Sequence, residues 1–260
     1  MIEVKNLRKQ FEDIEVLKGI STVFETGKTN LIIGQSGSGK TVFLKCLTGL
    51  ITPTSGEILF DGRDTTKFSY EERQALRGEI GTVFQGSALF DSMTVLENVR
   101  FPLEMFSNLS MKEMNDRSEE VLTRVNLTPE SFKKFPSEIS GGMQKRVAIA
   151  RAIVNKPKYL FADEPNSGLD PKTSMVIDQL LHELTAEYNT TTIINTHDMN
   201  SVMEIGETII FLKNGILEWS GDKNEILTAD NEAVIDFVYS SKLFTKLREV
   251  LLEEKANSKK

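Results

Sequence analysis

Gly34-Gln-Ser-Gly-Ser-Gly-Lys-Thr41 follows the apolar run Thr29-Asn-Leu-Ile-Ile33 and opens a helix-periodic stretch that lasts to Leu47. The octet fits the spacing G-x-x-x-x-G-K-[ST] in the strand–loop–helix setting that gives the spacing its meaning. Glycines at 34, 37 and 39 let the backbone curl, so that the amides of Gly34, Gln35, Ser36, Gly37, Ser38 and Gly39 turn toward one point. The N-terminus of the following helix adds the positive end of its dipole. Such a loop cradles phosphate. Lys40 would meet the β- and γ-phosphates of a nucleoside triphosphate, and the Thr41 hydroxyl would be a ligand of the accompanying Mg²⁺. The plainer alternative is a glycine-rich turn with no ligand, which the strand before it and the helix after it argue against.

Two further stretches complete a phosphate-transfer site. Tyr159-Leu-Phe-Ala-Asp163-Glu164 reads as an apolar strand that delivers two carboxylates to its C-terminal end, where ligands of parallel sheets collect. Asp163 would hold Mg²⁺, and Glu164 would polarise an attacking water as general base. Alone, an Asp-Glu pair after a strand is surface decoration; the loop upstream gives it a task. Ser140-Gly-Gly-Met-Gln144 precedes a helical stretch from Lys145 to Val154. Its amides form a second anion-binding helix end, and Gly141 and Gly142 permit close approach. Alone, Ser140 would read as a helix cap. Its place between the loop and the carboxylate strand favours phosphate contact.

Outward from these stretches, Ile2 to Leu7 and Glu15 to Phe24 read as antiparallel strands broken near Glu12-Asp13. Glu25-Thr-Gly-Lys28 is a turn. Residues 86–158 carry helical patterns and little strand. There Val121, Leu122 and Val125 share a helical face, and Pro102, Pro129, Pro136 and Pro157 punctuate the chain. This region reads as a helical subdomain inserted into an α/β core. The core resumes with the Tyr159 strand, a helix from Ser174 to Tyr188, and a strand from Thr190 to Asn195 that ends in Thr196-His197-Asp198. Asn214-Gly215, flanked by Thr208 to Leu212 and Ile216 to Trp219, is a hairpin signal. His182 has no motif around it and reads as a surface residue. From Asn231 the pattern is helical again. Val234, Phe237 and Val238 share one face, and Leu243, Phe244, Leu247, Val250 and Leu251 share another.

Composition narrows the classes. A chain of 260 residues, 39% of them hydrophobic, can bury one substantial core with a subdomain attached. A net charge of -7 makes it a poor bulk binder of nucleic acid, which needs clustered Lys and Arg. The one cysteine, Cys46, cannot form an internal disulfide, which fits a reducing compartment. The first residues show no basic stretch followed by an apolar run, so no secretory signal is expected. The apolar runs are far shorter than the ~20 residues that span a bilayer, so a membrane role would have to come through a partner.

In their order, these motifs resemble the ATP-binding cassette family from the N-terminus to about residue 222. The Gly34 loop is similar to Walker A, Gln85 to the Q-loop glutamine, and Ser140-Gly-Gly-Met-Gln144 to the signature. Tyr159 to Glu164 is similar to Walker B, Ser167-Gly-Leu-Asp170 to the D-loop, and His197 to the switch histidine. Phe11 stands where the family places an aromatic that stacks on adenine. Tyrosine is commoner there, and phenylalanine keeps the ring face without the hydroxyl. The resemblance implies an α/β fold with a P-loop NTPase core. Its parts would be a mixed sheet, N-terminal antiparallel strands, a helical subdomain about 86–158 inside a 1–222 ATPase domain, and a helical extension over 223–260.

The resemblance also implies a composite site that needs a second copy of the chain. The loop of one copy and Ser140, Gly141 and Gly142 of the other would enclose each ATP, with Asp170 at the same junction. His197 would orient the water and the γ-phosphate. Gln85 would touch Mg²⁺ or water and report nucleotide state to a membrane permease.

A finer likeness follows Gln85. Gly86-Ser-Ala-Leu-Phe-Asp-Ser-Met-Thr-Val-Leu-Glu-Asn-Val99 with Phe101-Pro-Leu-Glu104 resembles the lipid-transporting Mla-type branch, which is associated with MCE-domain proteins. The methionine of Ser140-Gly-Gly-Met143 and Glu232-Ala-Val-Ile-Asp-Phe237 are similar to the same branch, whereas Ile139 and Asn166-Ser167 depart from the commonest patterns. The implied function is an ATPase that drives phospholipid transport between bacterial membranes, peripheral on the cytoplasmic face of the inner membrane. The partners would be a permease and an MCE-domain lipid-binding protein. Phe90, Met93 and Phe101 would form a socket for the permease. The rivals are the motor of a solute importer or exporter, and a soluble family member without a membrane partner. One cassette and no room for a coiled coil speak against the latter.

Overall fold

The structure is a computed structural model that describes residues 1–239. Two sheets and eight helices of four residues or more account for most of it. Strands β1 (Ile2–Phe11) and β2 (Ile14–Phe24) pair antiparallel about the Glu12-Asp13 turn. Their alternation buries Ile2, Val4 and Leu7 against Leu17, Ile20 and Phe24. β4 (Ser55–Phe60) and the two-residue β5 (Arg63–Asp64) extend this sheet in the order β2-β1-β4-β5.

The second sheet holds β3 (Thr29–Ile33), β6 (Ile80–Val83), β7 (Tyr159–Asp163), β8 (Thr191–Thr196), β9 (Thr208–Lys213) and β10 (Ile216–Gly221). Its order is β10-β9-β3-β8-β7-β6, parallel except for β10. Every residue of β3, β7 and β8 is buried, as befits parallel strands covered on both faces. Along β7, Tyr159 and Phe161 face the cluster shared with Phe24, Phe43 and Phe60, while Leu160 and Ala162 face the helical side.

The helices are α1 (Lys40–Leu47), α2 (Tyr70–Gly78), α3 (Val95–Phe106), α4 (Met111–Arg124), α5 (Gly141–Ile153), α6 (Pro171–Tyr188), α7 (Met199–Ile205) and α8 (Glu232–Val238). Capping boxes start three of them: Ser69 with Glu72, Thr94 with Glu97, and Ser110 with Glu113. Helices α3, α4 and α5 lie in the chain between β6 and β7 and bury Val99, Val121, Leu122 and Val147 together. Pro102 does not interrupt the chain as its residue type predicts. It sits inside α3, which stays intact because Val95, Val99 and Leu103 anchor the helix in the core on both sides of it. His182 keeps a surface position on α6 with its side chain 37% exposed, but it is not unpartnered there, since Nδ1 lies 3.1 Å from the Thr29 hydroxyl.

Beyond β10, α8 buries Val234, Phe237 and Val238 in the main core, and Phe237 meets Phe211 at a centroid distance of 5.2 Å. The second apolar face, Leu243 to Leu251, lies outside the described residues. Among the described residues no helix is long and apolar enough to cross a membrane.

The β9–β10 hairpin turns through Asn214 (φ 51°) and Gly215 (φ 79°), the pair of positive φ values that a two-residue hairpin loop requires. A Cβ on Gly215 would come within 2.1 Å of the Val16 carbonyl oxygen. The same residue donates its N–H to Ser38 O, so the hairpin props the phosphate loop. Gly215→Ala is therefore expected to cost about 1–3 kcal/mol, read as a lower urea midpoint. An unchanged midpoint would mean that the Val16 strand yields without strain.

Candidate active site

The C-terminal ends of β3, β8 and β7 are adjacent because those strands are neighbours in one parallel sheet. Register then sets the contacts: Ile33 lies beside Thr196, and Asp163 beside Asn195. The loop after β3, Glu164 after β7 and His197 after β8 therefore open on one cleft of about 700 Å³. Gln35, Ser36, Gly37, Ser38, Gly39, Lys40 and Thr41 form its floor; Gln85, Glu164 and His197 stand over it.

The loop is shaped for an anion. Gly34 is held so close to β9 that a Cβ would meet Leu212 O at 2.2 Å, while Gly37 faces open space. Helix α1 begins at Gly39 with no side-chain cap, which leaves its first amides to a ligand. The Ser38 hydroxyl is buried without a hydrogen-bond partner. Lys40 donates to Gly34 O at 2.8 Å and Gln35 O at 3.2 Å. Burial lowers the Lys40 pKa from its ordinary value, and Glu164 and Asp163 oppose that shift.

Asp163 is 8% exposed and accepts from Asn195 Nδ2 at 2.9 Å and from Thr41 Oγ at 3.4 Å. A hydroxyl and a carboxylate are hard oxygen donors. Among the described residues no three His, Cys, Asp or Glu side chains converge on a metal. A cation here would be completed by phosphate and water, which is how Mg²⁺ is ordinarily held. Glu164 has φ 48°, in the left-handed region that costs a non-glycine residue some strain. Its Oε2 lies 2.8 Å from His197 Nδ1.

Gln85 is exposed in the cleft, with its Nε2 3.3 Å from Ser167 Oγ, and its own carbonyl accepts from Lys145 Nζ. Buried Cys46, whose thiol pKa burial pushes up to about 11, sits on α1 and lines no part of the cleft.

Other predicted residues stand apart. Ser140 is exposed at the N-cap of α5, accepting from Met143 N at 3.3 Å, and neither it nor Gly141 or Gly142 lines the cleft. Asp170 caps α6 through Thr173. Phe11 is 42% exposed, with Lys9 Nζ 4.6 Å from its ring centroid, and is not part of the cleft wall. Three wall residues had no motif to announce them: Val16, Val42 and Phe237. Phe237 was legible as part of an apolar face, but no sequence signal aims that face at the cleft.

A second concavity of about 300 Å³ lies beside α3, with Arg77, Phe84, Phe90, Phe101, Phe106 and Arg151 in its wall. Phe90 and Phe101 meet edge to face at 4.9 Å. Met93, grouped with them from sequence, does not line it, because Asn98 pins the Phe90 and Met93 carbonyls and folds that turn over α3. Arg151 donates to Ser87 O and Ala88 O, both at 2.7 Å, and so ties the segment after Gln85 to α5.

Residues 17–167 match the family model described as ABC transporter. A probable ribonucleotide transport ATP-binding protein, mkl, of Mycobacterium leprae is 38% identical over 91% of this chain and 68% of its own length. The chain thus spans about two thirds of that relative. A lipoprotein-releasing system ATP-binding protein, LolD, of Buchnera aphidicola is 42% identical over 79% of this chain and 91% of its own. Among solved structures, the dimeric ATP-binding cassette MJ0796 in a post-hydrolysis state with ADP and Pi is 37% identical. It superposes with a TM-score of 0.79 over 86% of this chain and 99% of that one. The chain belongs to the ABC transporter family, as an ATP-hydrolysing cassette that works on ATP with Mg²⁺.

Proposed function

We propose that this cassette drives phospholipid transport between bacterial membranes, as a dimer seated on a membrane permease at the cytoplasmic face of the inner membrane. The observation that carries the dimer is the division of the site. One chain gathers the phosphate loop, Glu164 and His197, with Asp163 against Thr41, and leaves Ser140, the N-cap of α5, exposed outside the cleft. A second copy would bring its Ser140, Gly141 and Gly142 to the first copy's ATP, with Asp170 near the junction and Phe11 stacked on adenine. In each half, Lys40 would hold the phosphates, and Asp163 and Thr41 the Mg²⁺ that screens their charge. Glu164 would take the proton from water as its oxygen attacks the γ-phosphorus and the bond to ADP breaks. His197, in contact with Glu164, would keep that carboxylate aimed.

The phospholipid reading rests on the stretch from Gly86 to Glu104. We read residues 1–222 as the ATPase domain, with 86–158 as its helical insertion and 223–260 as an extension. The Phe90 groove is the surface we assign to the permease, because Gln85 in the cleft and Phe90 in the groove are five residues apart on a segment that Arg151 braces. An MCE-domain protein would be a further partner. The rival cargo is a small solute, and the mycobacterial relative is named for ribonucleotide transport.

The test is purification from membranes with the permease, followed by ATP-driven transfer between vesicles of labelled phospholipid or of a ribonucleotide. Phospholipid transfer alone supports the proposal, and solute transfer alone replaces it. In the same assay Phe90→Asp is expected to cut transport about tenfold or more, since it buries a charge against an apolar partner, while ATP binding by the isolated chain is kept. Transport at the wild-type rate would remove the groove from the coupling path.

A further inference from the structure

The loop after Glu164 and α7, the helix after His197, meet a second time away from the cleft. Asn166, two residues after Glu164, donates Nδ2 to Asp178 Oδ1 at 2.6 Å and lies 3.3 Å from Ser201 Oγ. Ser201, four residues after His197, donates to Asp178 Oδ2 at 2.7 Å. Asp178 stands about two turns into α6 and is 3% exposed. One buried carboxylate thus receives a donor from the loop after Glu164 and another from α7, the helix that follows His197. It touches neither the cleft nor the phosphate loop.

Such a carboxylate is unfavourable unless its partners hold it. Burial pushes the Asp178 carboxyl up to about 6; the bonds from Ser201 and Asn166 oppose this, and Asp198 and Glu204 on α7 reinforce it. Cations on the neighbouring helix α5 are engaged elsewhere: Lys145 with Gln85 O, Arg146 with Asn126 O, and Arg151 with Ser87 O. One turn along α6, His182 is held by Thr29 and faces Glu207.

We propose that Asp178, through Asn166 and Ser201, is a positioning residue that sets Glu164 against His197, and that proton uptake at Asp178 releases this link. Ionised, it accepts from Asn166 and from Ser201 at once. Protonated, it must donate through one oxygen. The acceptor that suits this is Asn166 Oδ1, which is buried with no hydrogen-bond partner and would meet the new O–H once the amide turns over. The turned amide now accepts from Asp178 and no longer donates to Ser201 Oγ, so the Glu164 loop loses its direct bond to α7. ATP hydrolysis therefore falls on the acid side while ATP binding, made by the Gly34 loop, holds. This rests on the base assignment of Glu164 made above.

The experiment measures kcat and KM for Mg-ATP on the full chain between about pH 5 and pH 8, a window that brackets this titration. Asp178→Asn, close in shape and fixed neutral, is expected to lower kcat about tenfold near neutral pH with KM little changed, and to lack the acid limb that belongs to Asp178. Ser201→Ala removes one bond to the ionised form, so the limb moves to higher pH by about half a pH unit or more. A structural role alone would lower kcat evenly and leave the limb where it was. The proposal is overturned if Ser201→Ala leaves the midpoint in place, or if Asp178→Asn keeps the wild-type profile. Glu164→Gln in the same series reads the underlying assignment separately. Turnover retained there faults the base, while the position of the limb in Ser201→Ala still reads the link.

Discussion

Glu164→Gln is expected to slow ATP hydrolysis about 10²- to 10⁴-fold, the range that a positioned general base supplies. ATP binding is expected to stay at the wild-type level or tighten. The amide has nearly the shape of the carboxylate and can keep the contact with His197 Nδ1 that the structure places at 2.8 Å. The strained backbone at φ 48° and the N–H bond to Asn195 O are main-chain features that the substitution does not alter. What disappears is the lone pair that takes a proton and one negative charge beside the phosphates. Loss of that charge removes repulsion, which is why binding is not expected to weaken. Single-turnover hydrolysis and equilibrium ATP binding, measured on the same preparation, separate the two effects. A variant that hydrolyses within tenfold of wild type would move the base elsewhere in the cleft, and His197 is the group in contact.

The phosphate loop, the carboxylate strand and the Asn214-Gly215 turn were legible because each is local. Residue types at fixed spacing dictate a backbone shape, and the structure shows that shape at Gly34, Gly39 and Gly215. The burial of β3 and β7 was legible for a similar reason, since a largely apolar run of that length suits a covered parallel strand, whereas β8, Thr191-Thr-Ile-Ile-Asn-Thr196, read only as a strand and its full burial was not legible. Strand order was not local. The Asp163–Asn195 bond depends on β7 lying beside β8 in one register, and nothing within either strand specifies its neighbour. The same holds for Val16 and Phe237, which reach the cleft wall from β2 and α8. Asn166 drew notice in the sequence only as a departure from a common pattern. Its partners Asp178 and Ser201 are 12 and 35 residues away, and no motif surrounds either of them. Pro102 misled because the residue type predicts a break where flanking core contacts sustain a helix.

Lys40→Ala is expected to weaken ATP binding about 10²- to 10⁴-fold, and hydrolysis with it. Hydrogen bonds to charged groups contribute about 1.5–3 kcal/mol each, and Lys40 Nζ has two acceptors within reach in the Gly34 and Gln35 carbonyls. Entry of phosphate oxygens would draw the ammonium off those carbonyls onto a ligand of opposite charge, a stronger pairing for a side chain that is itself 8% exposed. Alanine leaves both the carbonyls and the phosphates without that cation. The fold should survive, because Lys40 begins α1 and alanine suits a helix. Far-UV circular dichroism and the unfolding midpoint are therefore expected to match wild type. Loss of binding with an intact fold assigns the defect to the site. Wild-type affinity would remove Lys40 from phosphate recognition and leave the loop amides and the α1 dipole to carry it. Mixing Lys40→Ala with Ser140→Ala extends the argument to the dimer. In a mixed pair one composite site carries both defects and the other neither, so recovered turnover shows that Ser140 serves the opposite chain's ATP. If no turnover returns, crosslinking of an ATP analogue to Ser140 distinguishes two sites that must fire together from a Ser140 that never reaches the partner's nucleotide.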